Sequence, residues 1–161
     1  MTIRISRVAL ASAVALIAVS AAGVAQQGPP PTPEQQAKKA VETREGLFNL
    51  QAFAFGPVGA MLKGAPVDAA LVQKEAARVA MTAGMIPEVF QLDTRQFQVK
   101  TQARPTIWNN KTDFEKKAGD LQTAAAALEV AAKKGDRSGI LDAAGKVGNA
   151  CKACHEDYRE K

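Results

Sequence analysis

Apolar residues along this chain recur at intervals of three and four, and strand-like alternation is almost absent. That period lays one apolar stripe along a helix. The first helix is predicted to open at Thr32-Pro33-Glu34-Gln35. Threonine caps, proline suits the first helical position, and Gln35 stands where a capping-box partner belongs. Val41, Phe48 and Phe55 then recur every seven residues, with Arg44 and Gln51 on the neighbouring rows. Gly56-Pro57 interrupts the pattern, and the missing proline N–H predicts a kink or an early stop. Helix resumes over Val58 to Lys63, and Gly64 closes it. A second helix is expected from Asp68 to about Gly84, on the stripe Ala69, Val72, Ala76, Val79 and Ala83. Met85 to Arg104 has no clear period and reads as a long connection, which usually has a job or carries short helical turns. The third helix begins near Pro105 or at the capping box Thr112-Asp113-Phe114-Glu115, and presents Phe114, Ala118, Leu121, Ala125 and Leu128. Lys133, Lys134 and Gly135 end it. The last helix begins at Asp136. Its seam is Ile140, Ala144, Val147, Cys151, Cys154 and Tyr158, at intervals of 4, 3, 4, 3 and 4. Four such helices with one long crossover predict an all-α, antiparallel four-helix bundle.

That last seam carries the chemistry. Cys151-Lys152-Ala153-Cys154-His155 is a C-x-x-C-H motif, the attachment signature of c-type haem. Residues at i, i+3 and i+4 share one helix face. Cys151 and Cys154 can thus form thioethers to one flat macrocycle while His155 ligates its iron. These are the only two cysteines and the only histidine of the chain. A zinc site would need further Cys or His ligands, and a redox dithiol would expect a βαβ context. Haem c on the C-terminal helix, one group covalently held, is therefore the expected cofactor, with a Cys151–Cys154 disulfide as the local competitor.

Composition and charge place the chain in a compartment. It has 161 residues, 47% hydrophobic, enough for one domain with an ordinary core. Arg4 and Arg7 precede an apolar run from Val8 to Val19, and Gly23-Val24-Ala25 supplies small residues at a cleavage position. That is the pattern of a secretory signal peptide over residues 1–25. The run is short of the roughly 20 residues a membrane span needs, so no anchor is expected after processing. Residues 26–31 read as a flexible leader, and 32–161 as the bundle domain. The expected location is the periplasm. The net charge of +5 falls to +3 once Arg4 and Arg7 are lost. The basic residues are interleaved with acids and have no aromatic stripe, which argues against nucleic acid.

The terminal stretch Cys151 to Arg159 resembles the ending of the cytochrome c′ family, whose haem motif lies on the last helix. Ala103-Arg104-Pro105-Thr106-Ile107-Trp108 with Phe114, Val41-x-x-Arg44, Gly56 and Lys63-Gly64 match other parts of the family pattern. The chain departs from it at Glu88, where many members carry an aromatic, and at Pro57. The resemblance implies several roles. Low-spin relatives place a methionine four residues after the arginine corresponding to Arg44, and here that position is Phe48. Phenylalanine cannot ligate iron. Met61 lies 17 residues beyond Arg44, roughly 25 Å along a continuous helix, too far to reach. The expectation is five-coordinate haem with an apolar distal pocket walled by Phe48, offering no donor to bound dioxygen and favouring nitric oxide, with carbon monoxide limited by crowding. The resemblance further implies that Arg44 pairs a haem propionate, that Arg104 closes over the same rim and that Arg159 lies on the proximal side. Trp108 and Tyr158 read as packing residues.

Small diatomic gases and an unidentified redox partner are the expected partners. Homodimerisation through the first and second helices is implied by the family and permitted by the small residues of the second. The alternatives are a low-spin electron carrier with an unidentified sixth ligand, and an enzyme such as a weak peroxidase. The enzyme is least supported, because the sole histidine is committed to iron and no distal acid–base partner is evident.

Overall fold

The computed structural model describes residues 29–161. The expected signal peptide over 1–25 lies outside the described residues. Helix α1 (Pro33–Leu62) opens with the predicted capping box: the Gln35 N–H donates to Thr32 Oγ1 at 3.3 Å, and the Thr32 N–H donates to Gln35 Oε1 at 2.8 Å. The early stop expected at Pro57 does not occur. Ala54, Val58 and Met61 are buried on both sides of the proline, so packing carries the helix past it. The carbonyl that Pro57 leaves unbonded belongs to Phe53, a residue 72% exposed, where water can satisfy it. Gly64 closes the helix with φ +104, as its position predicts.

Helix α2 (Ala69–Val89) is capped by Asp68, whose Oδ1 accepts from the Leu71 N–H at 2.9 Å. It does not end at Gly84. The buried stripe continues through Ala83, Ile86 and Phe90, with Pro87 inside the helix. Gly84 marks a close approach instead, since a Cβ there would lie 2.7 Å from Gln122 Nε2. The connection expected from Met85 is correspondingly shorter.

A short helix α3 (Thr106–Asn109) follows Pro105, and α4 (Lys111–Lys134) starts directly after it. The capping box expected at Thr112 does not form, because α4 is already under way and Asn110 holds the cap position without a side-chain bond. Gly135 adopts φ +72 and ends α4 in the left-handed conformation. Asp136 then caps α5 (Arg137–Tyr158) by accepting from the N–H groups of Ser138 and Gly139 at 3.2 and 2.9 Å.

The four long helices form the expected all-α bundle. Short turns join α1 to α2 and α4 to α5, which makes those pairs antiparallel. The most extensive packing is α2 on α4, followed by α4 on α5 and α1 on α2, whereas α1 meets α5 sparsely. The core is built from small and branched residues, including Val72, Val79, Leu128, Ile140 and Val147, with Phe90 and Phe114 at one end. Two devices fix the loop between α2 and α3. The Arg44 guanidinium donates to the carbonyls of Val89 and Leu92 at 2.9 and 2.6 Å and to Thr94 Oγ1 at 3.0 Å. At the other end, Ala103 pairs with Arg159 in an antiparallel bridge, supported by Arg104 N–H to Tyr158 O at 3.0 Å and Glu160 N–H to Gln102 O at 2.8 Å.

Candidate haem-binding site

Where α1 and α5 part, a cavity of about 1350 Å³ opens between them. Its α1 wall includes Val41, Arg44, Phe48 and Gln51, its α2 edge Ile86 and Phe90, and its rim residues 96–103. The α5 wall brings Cys151, Cys154, His155 and Arg159 to the same space, as the helical spacing requires. Both cysteines are half-buried against the core, and neither forms a disulfide. Burial pushes both thiols up, Cys154 to about 11, so they are protonated at neutral pH. Burial and then the charge of Arg159 pull the His155 imidazole below its ordinary value. A neutral imidazole is the form that binds a metal. No group of three or more His, Cys, Asp and Glu suited to a metal ion exists among the described residues.

The α1 wall fits a planar apolar group that carries acidic edges. The Phe48 ring is half-buried and lies 6.1 Å from Phe90, centroid to centroid. Arg44 is 2% exposed, yet its bonded partners are two carbonyls and a hydroxyl, with no carboxylate among them. Its guanidinium also lies 4.5 Å from the Phe90 ring centre and 5.3 Å from that of Trp108. Burial lowers its pKa, and the charge of Asp93 only partly offsets this. A buried cation that faces a cavity without a bonded anion suits an acidic group placed there.

Other expected residues fall differently. Arg104 does not line the cavity. Its NH1 donates to the Glu156 carbonyl at 3.0 Å, and its Nε lies 3.8 Å from Glu160. Next to the bridge at Ala103, this side chain lies against the end of α5. Arg159 does line the cavity, and its Nε donates to Gln102 Oε1 at 3.1 Å. Met61 is buried in the core away from the cavity, and Met81 and Met85 are 64% and 42% exposed, so no methionine among the described residues lines it. One residue escaped the sequence reading. Gln51 is a buried amide on the cavity wall, so that wall is not wholly apolar. Its signal was the seven-residue spacing from Arg44, which puts both polar residues on the inward face.

The cytochrome C′ family model matches residues 39–159. The chain belongs to the cytochrome c′ family. It is 39% identical over 128 residues to cytochrome c′ of Cereibacter sphaeroides, a match covering 78% of this chain and 85% of that protein. Among solved structures it resembles cytochrome c prime from Shewanella frigidimarina, with a TM-score of 0.72, 39% identity, and coverage of 78% of this chain and 97% of that one. It also resembles the nitric oxide complex of a single-residue variant of cytochrome c prime from Alcaligenes xylosoxidans, with a TM-score of 0.68, 32% identity, and coverage of 78% and 97%. Cytochrome c′ proteins carry covalently attached haem c, and this chain has the two cysteines for it. They are haem electron- and gas-binding proteins rather than ordinary enzymes. No helix among the described residues is long and apolar enough to cross a membrane.

Proposed function

We propose that this cytochrome c′ holds five-coordinate haem between α1 and α5, and that it binds nitric oxide and carbon monoxide on the α1 side. The observation that carries the reading is one imidazole on α5 facing an aromatic wall on α1, in a cavity lined by no second histidine and no methionine among the described residues. Haem supplies an iron that can exchange an electron and take a diatomic ligand on its open face. Cys151 and Cys154 anchor the macrocycle, and His155 is the sole protein ligand to iron. Arg159 keeps a positive charge beside the His155 ring and so favours its neutral state. Arg44 meets a propionate with the N–H groups left over from its loop contacts, because a guanidinium has five and three of them are engaged in the structure. Phe48 crowds the open face and slows entry of carbon monoxide.

The chain acts in the periplasm after loss of residues 1–25, where it also passes electrons to a redox partner. Leu50 and Phe53 on α1, with Met81 and Met85 on α2, are exposed apolar residues that support pairing of two copies through those helices. The ferric electronic spectrum with spin state tests the core of the reading. Mainly high-spin iron near neutral pH is expected. A fully low-spin spectrum abolished by replacing Met61, Met81 or Met85 would instead make the chain a six-coordinate electron carrier. Cys151→Ala with Cys154→Ala should leave haem extractable by acidified organic solvent, whereas wild-type haem should stay with the protein.

A further inference from the structure

Gln51 lies three residues beyond Phe48 on α1, on the same face, and is 8% exposed. Its Nε2 donates to Thr82 Oγ1 at 3.4 Å, a long bond. The Thr82 hydroxyl has one hydrogen, and the carbonyls of Arg78 at 2.9 Å and Val79 at 3.1 Å compete for it. Thr82 therefore only accepts from Gln51, which sets the amide nitrogen toward α2. A primary amide carries two N–H donors. The second N–H of Gln51 and its Oε1 have no partner among the described residues, and Gln51 lines the cavity. A buried amide donor left unpaired is costly.

We infer that Gln51 donates a hydrogen bond to the diatomic ligand bound opposite His155, and so tunes which gas the site retains. The inference rests on the gas-binding reading above. It changes the expected selectivity. A donor on the α1 wall favours ligands whose outer atom gains negative charge, so discrimination against dioxygen comes from crowding by Phe48 rather than from want of a donor.

Infrared spectra of the ferrous carbon monoxide complex test this in the wild type, Gln51→Leu and Phe48→Ala. A donor at the ligand oxygen lowers the C–O stretch, and an exchangeable donor makes it respond to D2O. The wild type should therefore show a stretch that moves in D2O. Gln51→Leu should raise the stretch, abolish the isotope response and speed carbon monoxide release roughly three- to tenfold, the worth of one hydrogen bond. If the Leu variant fails to load haem, the wild-type isotope response decides alone. An unresponsive wild-type stretch, unchanged in Gln51→Leu while Phe48→Ala still alters binding, would make Gln51 a packing residue and overturn the inference. If Phe48→Ala also changes nothing, the ligand does not bind beside α1, and the placing of the gas on the α1 side falls with it.

Discussion

Tyr158 sits where the cavity meets the core, with its ring edge-on to Phe114 at 5.3 Å and its hydroxyl donating to Asp113 Oδ2 at 2.7 Å. Burial pushes its pKa up, and the hydrogen bond and charge of Asp113 add to the shift. An unfolded tyrosine ionises near pH ~10. The raised value therefore lends stability in full below about pH 10, and this is lost as pH climbs further, because only the unfolded chain ionises. Tyr158→Phe should cost about 1 kcal/mol at neutral pH, and the gap to wild type should narrow at pH ~11. Denaturation midpoints at the two pH values check this, and an equal gap at both would contradict it. Phe48 is half-buried, so Phe48→Ala should cost less than the ~3–5 kcal/mol of a fully buried ring. Flash photolysis should show faster carbon monoxide rebinding. At this scale, legibility followed locality. Cys151, Cys154 and His155 lie within five residues, and helical geometry alone brings them together. The direction of Arg104 was not legible, because it is set by the bridge between Ala103 and Arg159, which are far apart in sequence.

The helix faces were readable from periodicity, but two of the helix limits were not. Pro57 and Gly84 have the local chemistry of a break, yet each lies within a continuous buried stripe that tertiary packing holds in place. Both positions should therefore carry a local cost that substitution relieves. Pro57→Ala restores a donor to the Phe53 carbonyl and removes a residue ~3 kcal/mol poorer than alanine in a helix interior. A gain of about 1–3 kcal/mol is expected, the lower figure because water already reaches exposed Phe53. Gly84→Ala would set a methyl 2.7 Å from Gln122 Nε2, the far end of an exposed and flexible side chain. That end can swing away, so the higher helix propensity of alanine should prevail by about 0.5–1 kcal/mol. Urea midpoints for the two variants measure both effects. A loss of stability in Gly84→Ala would show that Gln122 is held in place and that α2 and α4 need the glycine.

At the scale of the molecule, the bundle is unevenly closed. The α2–α4 and α4–α5 sides are packed along much of their length, while α1 and α5 face each other across the cavity and touch little. The C-terminal half of α1 is tied to the core through Ala54, Val58 and Met61, and Leu47 carries this contact into the N-terminal half. Its N-terminal half, including Arg44 and Phe48, borders the cavity. Haem should then act as the fifth packing element, and its loss should loosen the two helices that face it rather than the whole fold. Hydrogen exchange on Cys151→Ala/Cys154→Ala protein stripped of haem tests this against the loaded wild type. Amides of α2 and α4 should keep the slowest exchange. Those near residues 38–52 of α1, and from Cys151 to the end of α5, should exchange at least tenfold faster than in the loaded protein, as expected when local opening becomes cheaper by about 1.4 kcal/mol or more. Uniform protection across all four long helices without haem would mean that the α1–α5 contacts hold by themselves. Uniform loss would mean that the cofactor is needed for the core as a whole. The expected division follows from the packing: α2 and α4 bury their stripes mainly on one another, so that side keeps its partners when the cavity opens to water.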